Sequence, residues 1–242
     1  MKLSVIVPPN FTMFLRPRKL SHHMVLAQYV LDYPESFWRH EHESGAFILL
    51  DNGVAEGIQL PFNTVLDMAQ LIHADEIIMP DVQGDMWMTL QKFVEHRHQV
   101  PLRQRMAVPH GTSWFEWTEC LIKLCDMGCR SIGVAKMYES FPGGRLEALN
   151  IIDQHMVNWT HDIHLLGCYN RPYKEIREVA LKYPWVRSVD TAAPIAYAQQ
   201  GCSIDADAHC SINWYVDCPG NLVLHNINLL LEACNAFNLE ES

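Results

Sequence analysis

The sequence predicts an α/β fold, a single (β/α)8 TIM-type barrel over residues 1–242. Three observations carry that expectation. Short apolar runs of strand length alternate with segments of helix length along the whole chain, the pattern of a parallel sheet. Several of those runs end in a glycine or a polar residue, which is where barrel enzymes keep their chemistry. The chain has 242 residues, close to the roughly 250 typical of one such barrel, and no linker, low-complexity segment or charge block divides it.

Composition bounds the function. With 49% hydrophobic and 19% charged residues, the chain has ample material for a core and does not read as disordered. No apolar run approaches the roughly 18 residues of a membrane span, and Met1 to Pro9 is strand-like without a signal peptide's cleavage pattern. The expected location is intracellular, in the cytoplasm, with no membrane partner. The eight cysteines are dispersed, so most are expected to be reduced core thiols. A formal net charge of −10 argues against a broad nucleic-acid footprint, because phosphate contacts need clustered Lys and Arg. A local basic strip remains compatible with it.

Taken in order, Lys2 to Val7 reads as a first strand stopped by Pro8 and Pro9. Arg16, Arg18 and Lys19 form a basic patch, either a solvated loop or a phosphate contact. Ser21 is placed to cap a helix running through Leu31. Ala46 to Leu50 is the second strand and delivers Asp51-Asn52-Gly53 to its tip, a sequence that also reads as an ordinary turn. A helix from Phe62 to Ile72 leads to a third strand, Glu76 to Met79, tipped by Pro80-Asp81. A helix from about Asp85 to His98 precedes the fourth strand, Arg105 to Val108, tipped by Pro109-His110-Gly111. The amphipathic helix Ser113 to Met127 has Gly128 placed to end it. The fifth strand, Ser131 to Val134, contains Gly133, which suggests close approach of its backbone to a ligand or a neighbouring element. Helix Arg145 to Asn158, a sixth strand from Ile163 to Leu166 ending in Gly167, and helix Pro172 to Leu181 follow. Val186 to Val189 is the seventh strand and carries Asp190 at its tip. Ile212 to Val216 is the candidate eighth strand, with a closing helix from about Asn221 to Phe237.

In a barrel all strand C-termini share one rim, so Asp51, Asp81, His110, Gly133, Gly167 and Asp190 converge. Two acids flanking a sugar suit glycosyl transfer with retention, one attacking C1′ and the other handling the leaving group's proton. A third carboxylate suits a guanine edge, whose N1–H and exocyclic amine are adjacent donors. The same carboxylates could instead bind a metal, and Asp190 alone could simply cap the short helix that follows it.

The ordered series LLDNG, MPDV, VPHG, IGV, HLLG and SVDT, from Leu49 to about Pro194, resembles the rim of the tRNA-guanine transglycosylase superfamily. In its compactness the chain is most similar to the phage-type 7-deazaguanine DNA transglycosylases. The resemblance implies that Asp190 attacks C1′ and holds a covalent nucleic-acid intermediate. It implies that Asp51 transfers a proton or binds the base, and that Asp81 accepts hydrogen bonds from the guanine edge. His110 stands where the tRNA enzymes have a base-contacting glutamine, Gly133 where a backbone N–H meets the base carbonyl, and His164 and Gly167 at the pocket floor. The tRNA enzymes' Cys-x-Cys-x-x-Cys plus His zinc site has no counterpart. Cys202, His209, Cys210, Cys218 and His225 lack its spacing, so no metal is expected. Asn52-Gly53 replaces the tRNA enzymes' Ser-Gly-Gly, and Ala192-Ala193-Pro194 replaces the basic residues after their nucleophile, which shifts the expected polymer from tRNA to DNA.

The reading is therefore a cofactor-free exchange of guanine in DNA for a free 7-deazaguanine, in the host cytoplasm if the protein is phage-encoded. The target base must leave the stack, with Trp87, Trp114 or Tyr138 as stacking candidates or core residues. Arg145, Arg171 and Lys174 are the first choices for phosphate contacts, and Glu56 with His110 for specificity. The alternatives are a tRNA-directed enzyme, a small-molecule nucleoside hydrolase, and a catalytically idle binding barrel.

Overall fold

In a computed structural model, which describes residues 1–14, 20–58, 60–155, 161–206, 208, 210–213 and 216–237, eight parallel strands close a barrel in sequence order. They are β1 (Lys2–Val5), β2 (His22–Leu26), β3 (Phe47–Asp51), β4 (Glu76–Ile78), β5 (Arg105–Ala107), β6 (Ser131–Val134), β7 (Asp162–Leu165) and β8 (Ser188–Thr191). The helices are α1 (Glu35–Glu43), α2 (Phe62–Ile72), α3 (Met86–His96), α4 (Trp114–Asp126), α5 (Gly144–His155), α6 (Pro172–Lys182), α7 (Ala193–Gln199) and α8 (Gly220–Cys234). Alpha8 packs on α6, α7 and β1 and so covers the seam where the barrel closes. No helix among the described residues is long and apolar enough to cross a membrane.

The strand period explains why these segments are buried along their whole length. Alternate side chains point outward and pack under the helices, as Ile48, Leu50, Ile163 and Leu165 do. The intervening ones, including Ile6, Met24, Leu49, Ile78, Met106 and Val108, fill the barrel interior as a second apolar cluster. Gly133 belongs to that interior. A Cβ there would lie 2.7 Å from Leu166 Cδ1 and 3.2 Å from Val108 Cγ2, so the close approach expected at this glycine is to neighbouring side chains.

Two expected elements are corrected. Ser21 to Leu31 is not a helix: His22–Leu26 is β2, followed by a 3-10 turn at Ala27–Asp32. The segment pairs with β1 at Ser4 and with β3 along its whole length, and burial on both faces overrides its partial helical spacing. With β2 counted, the barrel closes through β8, and the eighth strand expected at Ile212 to Val216 is absent at its described residues. Helix α1, preceded by Pro34, was not expected at all. The patch Arg16, Arg18 and Lys19 lies outside the described residues, as does His209.

The N-terminal end of the barrel is plugged by charge. Arg187, just before β8, spans the interior to the first residue of β4, making paired contacts with Glu76 at 2.7 and 3.0 Å. Ser131 Oγ also donates to Glu76, Asp162 lies 3.4 Å from the guanidinium, and Phe47 lies beneath it at 5.0 Å. Glu76 is only 2% exposed, so removing its partner strands a buried carboxylate. Arg187→Met is expected to cost about 3–5 kcal/mol in denaturant unfolding, and Arg187→Met combined with Glu76→Gln to recover most of that loss.

Candidate active site

The opposite rim encloses a cavity of about 680 Å³. Its floor is the top of the interior apolar layer, with Ile6, Leu26, Ile78, Val108 and Leu166, and its polar lining includes Asp51, Asn52, Glu56, Asp81, His110 and Asp190. Asp51, Asp81, His110, Gly167 and Asp190 are thus brought to one chamber from five different strand ends. Gly133 and His164 lie beneath it.

Asp190 is fixed from two sides. His164 Nε2 lies 3.0 Å from Oδ1, and the Gly167 N–H reaches both carboxylate oxygens at 3.1 Å. His164 Nδ1 in turn meets Ser188 Oγ at 2.7 Å. Ser188, His164 and Asp190 therefore form a polar column up the barrel interior, all about 1% exposed. Gly167 reaches Asp190 from a left-handed conformation, φ +66°, which favours glycine. The helix-capping alternative for Asp190 does not hold: the residue at the N-cap of α7 is Ala192, and the Ala193 N–H donates to Thr191 Oγ1. Among the described residues, Asp190 Oδ2 accepts from Gly167 alone, which leaves it the freer oxygen for attack.

Asp81 is held by two donors. Asn52 Nδ2 donates to Oδ1 at 2.8 Å, and His110 Nε2 lies 2.7 Å from Oδ2. The Gly84 N–H donates to His110 Nδ1 at 3.3 Å, so Nδ1 is the acceptor and Nε2 carries the proton given to Asp81. His110 thereby orients Asp81 while lining the cavity itself. Each Asp81 oxygen retains a further lone-pair direction, so the carboxylate can still take two adjacent donors. Asn52, which read as a turn residue in the sequence, is an organising residue: its side chain also donates to Met79 O at 3.1 Å and accepts from the Val54 N–H at 3.0 Å.

Asp51 differs chemically from these. Burial pushes its carboxyl well above the usual carboxylate range, the nearby Glu56 adds to the rise, the Gly53 N–H opposes it, and Asp190 and Asp81 raise it further. Burial also raises Glu56, with Asp190 contributing. Glu56 is presented by a 3-10 turn between Gly53 and Gly57, both left-handed. Where like charges crowd a buried site, one acid keeps its proton, and Asp51 is the group placed to do so.

The expected nucleic-acid contacts fare differently. Arg145 is 2% exposed, and its guanidinium pairs with Glu175 at 2.6 Å and Glu139 at 3.2 Å, donates to Leu166 O and contacts Cys168 Sγ. Buried and ion-paired, the guanidinium is not presented to a phosphate as expected; it ties the loops after β6 and β7 together. Arg171 and Lys174 are exposed at the rim end of α6 but do not line the cavity. Lys136 is the one Lys or Arg among the described residues that does, lying 4.2 Å above the Tyr169 ring. Trp114 and Tyr138 pack against each other and against Trp117 and Phe141. Trp87 is exposed under Lys123, away from the cavity. Tyr169 is the aromatic ring at the mouth, and nothing in its local sequence distinguished it.

Among the described residues, the rim carboxylates do not bring three ligand atoms within 4.8 Å of one another. The arrangement suits acid and nucleophile chemistry.

An acid raised on folding binds its proton more tightly in the folded chain. Its favourable contribution is full below its unfolded value of about 3.9 and is lost as pH rises through the raised value. Asp51→Asn is accordingly expected to be more stable than the parent near neutral pH, with the difference vanishing towards about pH 4, as read by thermal melts across that range.

No protein-family model matches this sequence, and no curated protein matches it.

Proposed function

We propose that the protein is a base-exchange transglycosylase that replaces guanine in DNA with a free 7-deazaguanine. The observation that carries this reading is the buried Asp190, aligned by His164 and Gly167 and sharing one chamber with a proton-retaining Asp51. A nucleophile and a proton-bearing acid in one chamber are what a double displacement requires.

In the first displacement Asp190 Oδ2 attacks C1′, the C1′–N9 bond breaks, and the leaving base takes the Asp51 proton. An ester joins Asp190 to the sugar. In the second, the incoming base loses its N9 proton to the Asp51 carboxylate, its nitrogen attacks C1′, and the ester breaks to restore Asp190. Configuration at C1′ is retained, and no redox change or outside reactant is needed. Asp81, held open by Asn52 and His110, accepts the adjacent N–H groups of the guanine edge. The cavity volume lies within the range that encloses a small ligand, and a base inside a duplex must flip to enter it.

A nucleoside hydrolase is the second reading, favoured by the acidity of the chamber. Its lining holds five carboxylates against Lys136 alone, a poor match for a polyanion beyond the mouth.

Mass spectrometry of nucleosides from DNA and from tRNA, after incubation with the protein and a panel of 7-deazaguanines, separates these readings. The expected product is a 7-deazaguanine deoxynucleoside that the Asp190→Asn variant does not form. Product in tRNA instead would keep the mechanism and change the polymer. Release of free base from nucleosides, with neither polymer altered, would install the hydrolase. Because His164 positions Asp190 without reaching the cavity, His164→Leu is expected to lower kcat about 100-fold with little change in KM. His164→Gln, which retains a donor, should recover part of that rate.

A further inference from the structure

The end of the barrel opposite the cavity carries a separate set of soft ligands. Helix α4 stops at Met127, and Gly128 turns back in a left-handed conformation, φ +86°. The Gly128 N–H donates to Cys125 O and the Cys129 N–H to Leu124 O, the reversal by which glycine closes a helix. That turn sets Cys129 over Cys125 with their sulfurs 3.9 Å apart. Two residues later the chain enters β6, which pairs with β7 from its first residue, Ser131 against Asp162. The Asp162 N–H donates to Arg130 O, so His161 is delivered beside the thiol pair. One ligand atom from each of Cys125, Cys129 and His161 lies within 4.8 Å of the other two.

We propose that Cys125, Cys129 and His161 bind a zinc-class divalent cation. Zinc takes thiolate sulfur at about 2.3 Å and imidazole nitrogen at about 2.0–2.1 Å in a tetrahedron. Two sulfurs on such an ion stand about 3.8 Å apart by that geometry, and the two thiols here are at 3.9 Å before any ion is added. The third ligand comes from the residue just before β7, in the next unit of the barrel, so the site is not a product of helix spacing alone. Cys129 is buried while Cys125 and His161 are half-buried, and a water molecule would complete the tetrahedron. Two thiolates and a neutral imidazole cancel the charge of the ion, and the two thiol protons leave on binding.

The position sets the role. All three residues precede the strands they lead into, at the N-terminal face, whereas the cavity lies beyond the C-terminal ends. The ion fastens the end of α4 to the entries of β6 and β7, which is a stabilising and not a catalytic function. This proposal does not rest on the transglycosylase reading.

Cobalt(II) titration of the reduced full-length chain tests it. One equivalent should give visible ligand-field bands of tetrahedral cobalt with thiolate charge transfer, and zinc should displace them. Zinc should also raise the melting temperature. Cys125→Ser and His161→Ala should lose the charge transfer, the bands and the zinc-induced shift, whereas Cys218→Ser, half-buried and outside the cluster, should keep all three. Featureless octahedral cobalt with the parent chain, unaltered bands in Cys125→Ser, or bands lost only in Cys218→Ser would each overturn the assignment. So would a Cys125–Cys129 disulfide in protein purified under reducing conditions, seen as two thiols lost to alkylation.

Discussion

The ladder between β8 and β1 is the constraint on which the rest depends. It pairs Lys2 to Val5 with Ser188 to Thr191 residue for residue, and it turns a row of strands into a ring. In an open sheet Asp190 and Asp51 would stand on distant strands. In the ring, β2 pairs Leu26 with Asp51 while β1 pairs Ser4 with Asp190, which brings both carboxylates to one chamber. A closed ring also leaves no edge strand exposed to pair with another chain.

Closure dictates the interior as well. A ring of eight strands has room for layers of side chains but none for unpaired polar groups. The chain meets that condition in two ways: apolar residues fill most of the interior, and the polar ones are mutually bonded. Glu76 is matched by Arg187 and Ser131 at one end, and Asp190 by His164 and Gly167 at the other. The rim is less complete. Asp51 is a buried acid whose carboxyl is raised by burial first and by the nearby Glu56 second, a departure from local satisfaction of the kind found where a protein does chemistry.

Much of this was legible in the sequence because two periodicities and a few stop signals are local. The barrel class, seven of its strands and the rim positions of Asp51, Asp81, His110, Gly167 and Asp190 follow from runs such as AFILL and SIGV and from what ends them. Beta2 was not legible, since HHMVL is short, begins with two histidines and owes its strand geometry to neighbours on both sides. Arg145 shows the same limit at the level of a side chain. Its position in a glycine-rich rim loop suggested an exposed cation, but it is claimed by Glu139 of the same loop and by Glu175 of the next unit of the barrel. Asn52 was hidden for the opposite reason, because a turn signal fully accounted for it while its side chain served a second strand.

The two ends of the barrel divide stability from chemistry. At the N-terminal face, fixed pairs such as Arg187 with Glu76 join strands across the interior, and the C-cap of α4 sets thiols beside an imidazole from the next unit. At the C-terminal face, the loops hold carboxylates close together, where their mutual repulsion and burial oppose folding. Each arrangement would be unfavourable at the other end: a tightly paired rim would leave no acid free to donate a proton, and crowded acids beneath the barrel would leave its interior without a plug. The parallel ring separates them because every strand contributes its first residue to one face and its last to the other.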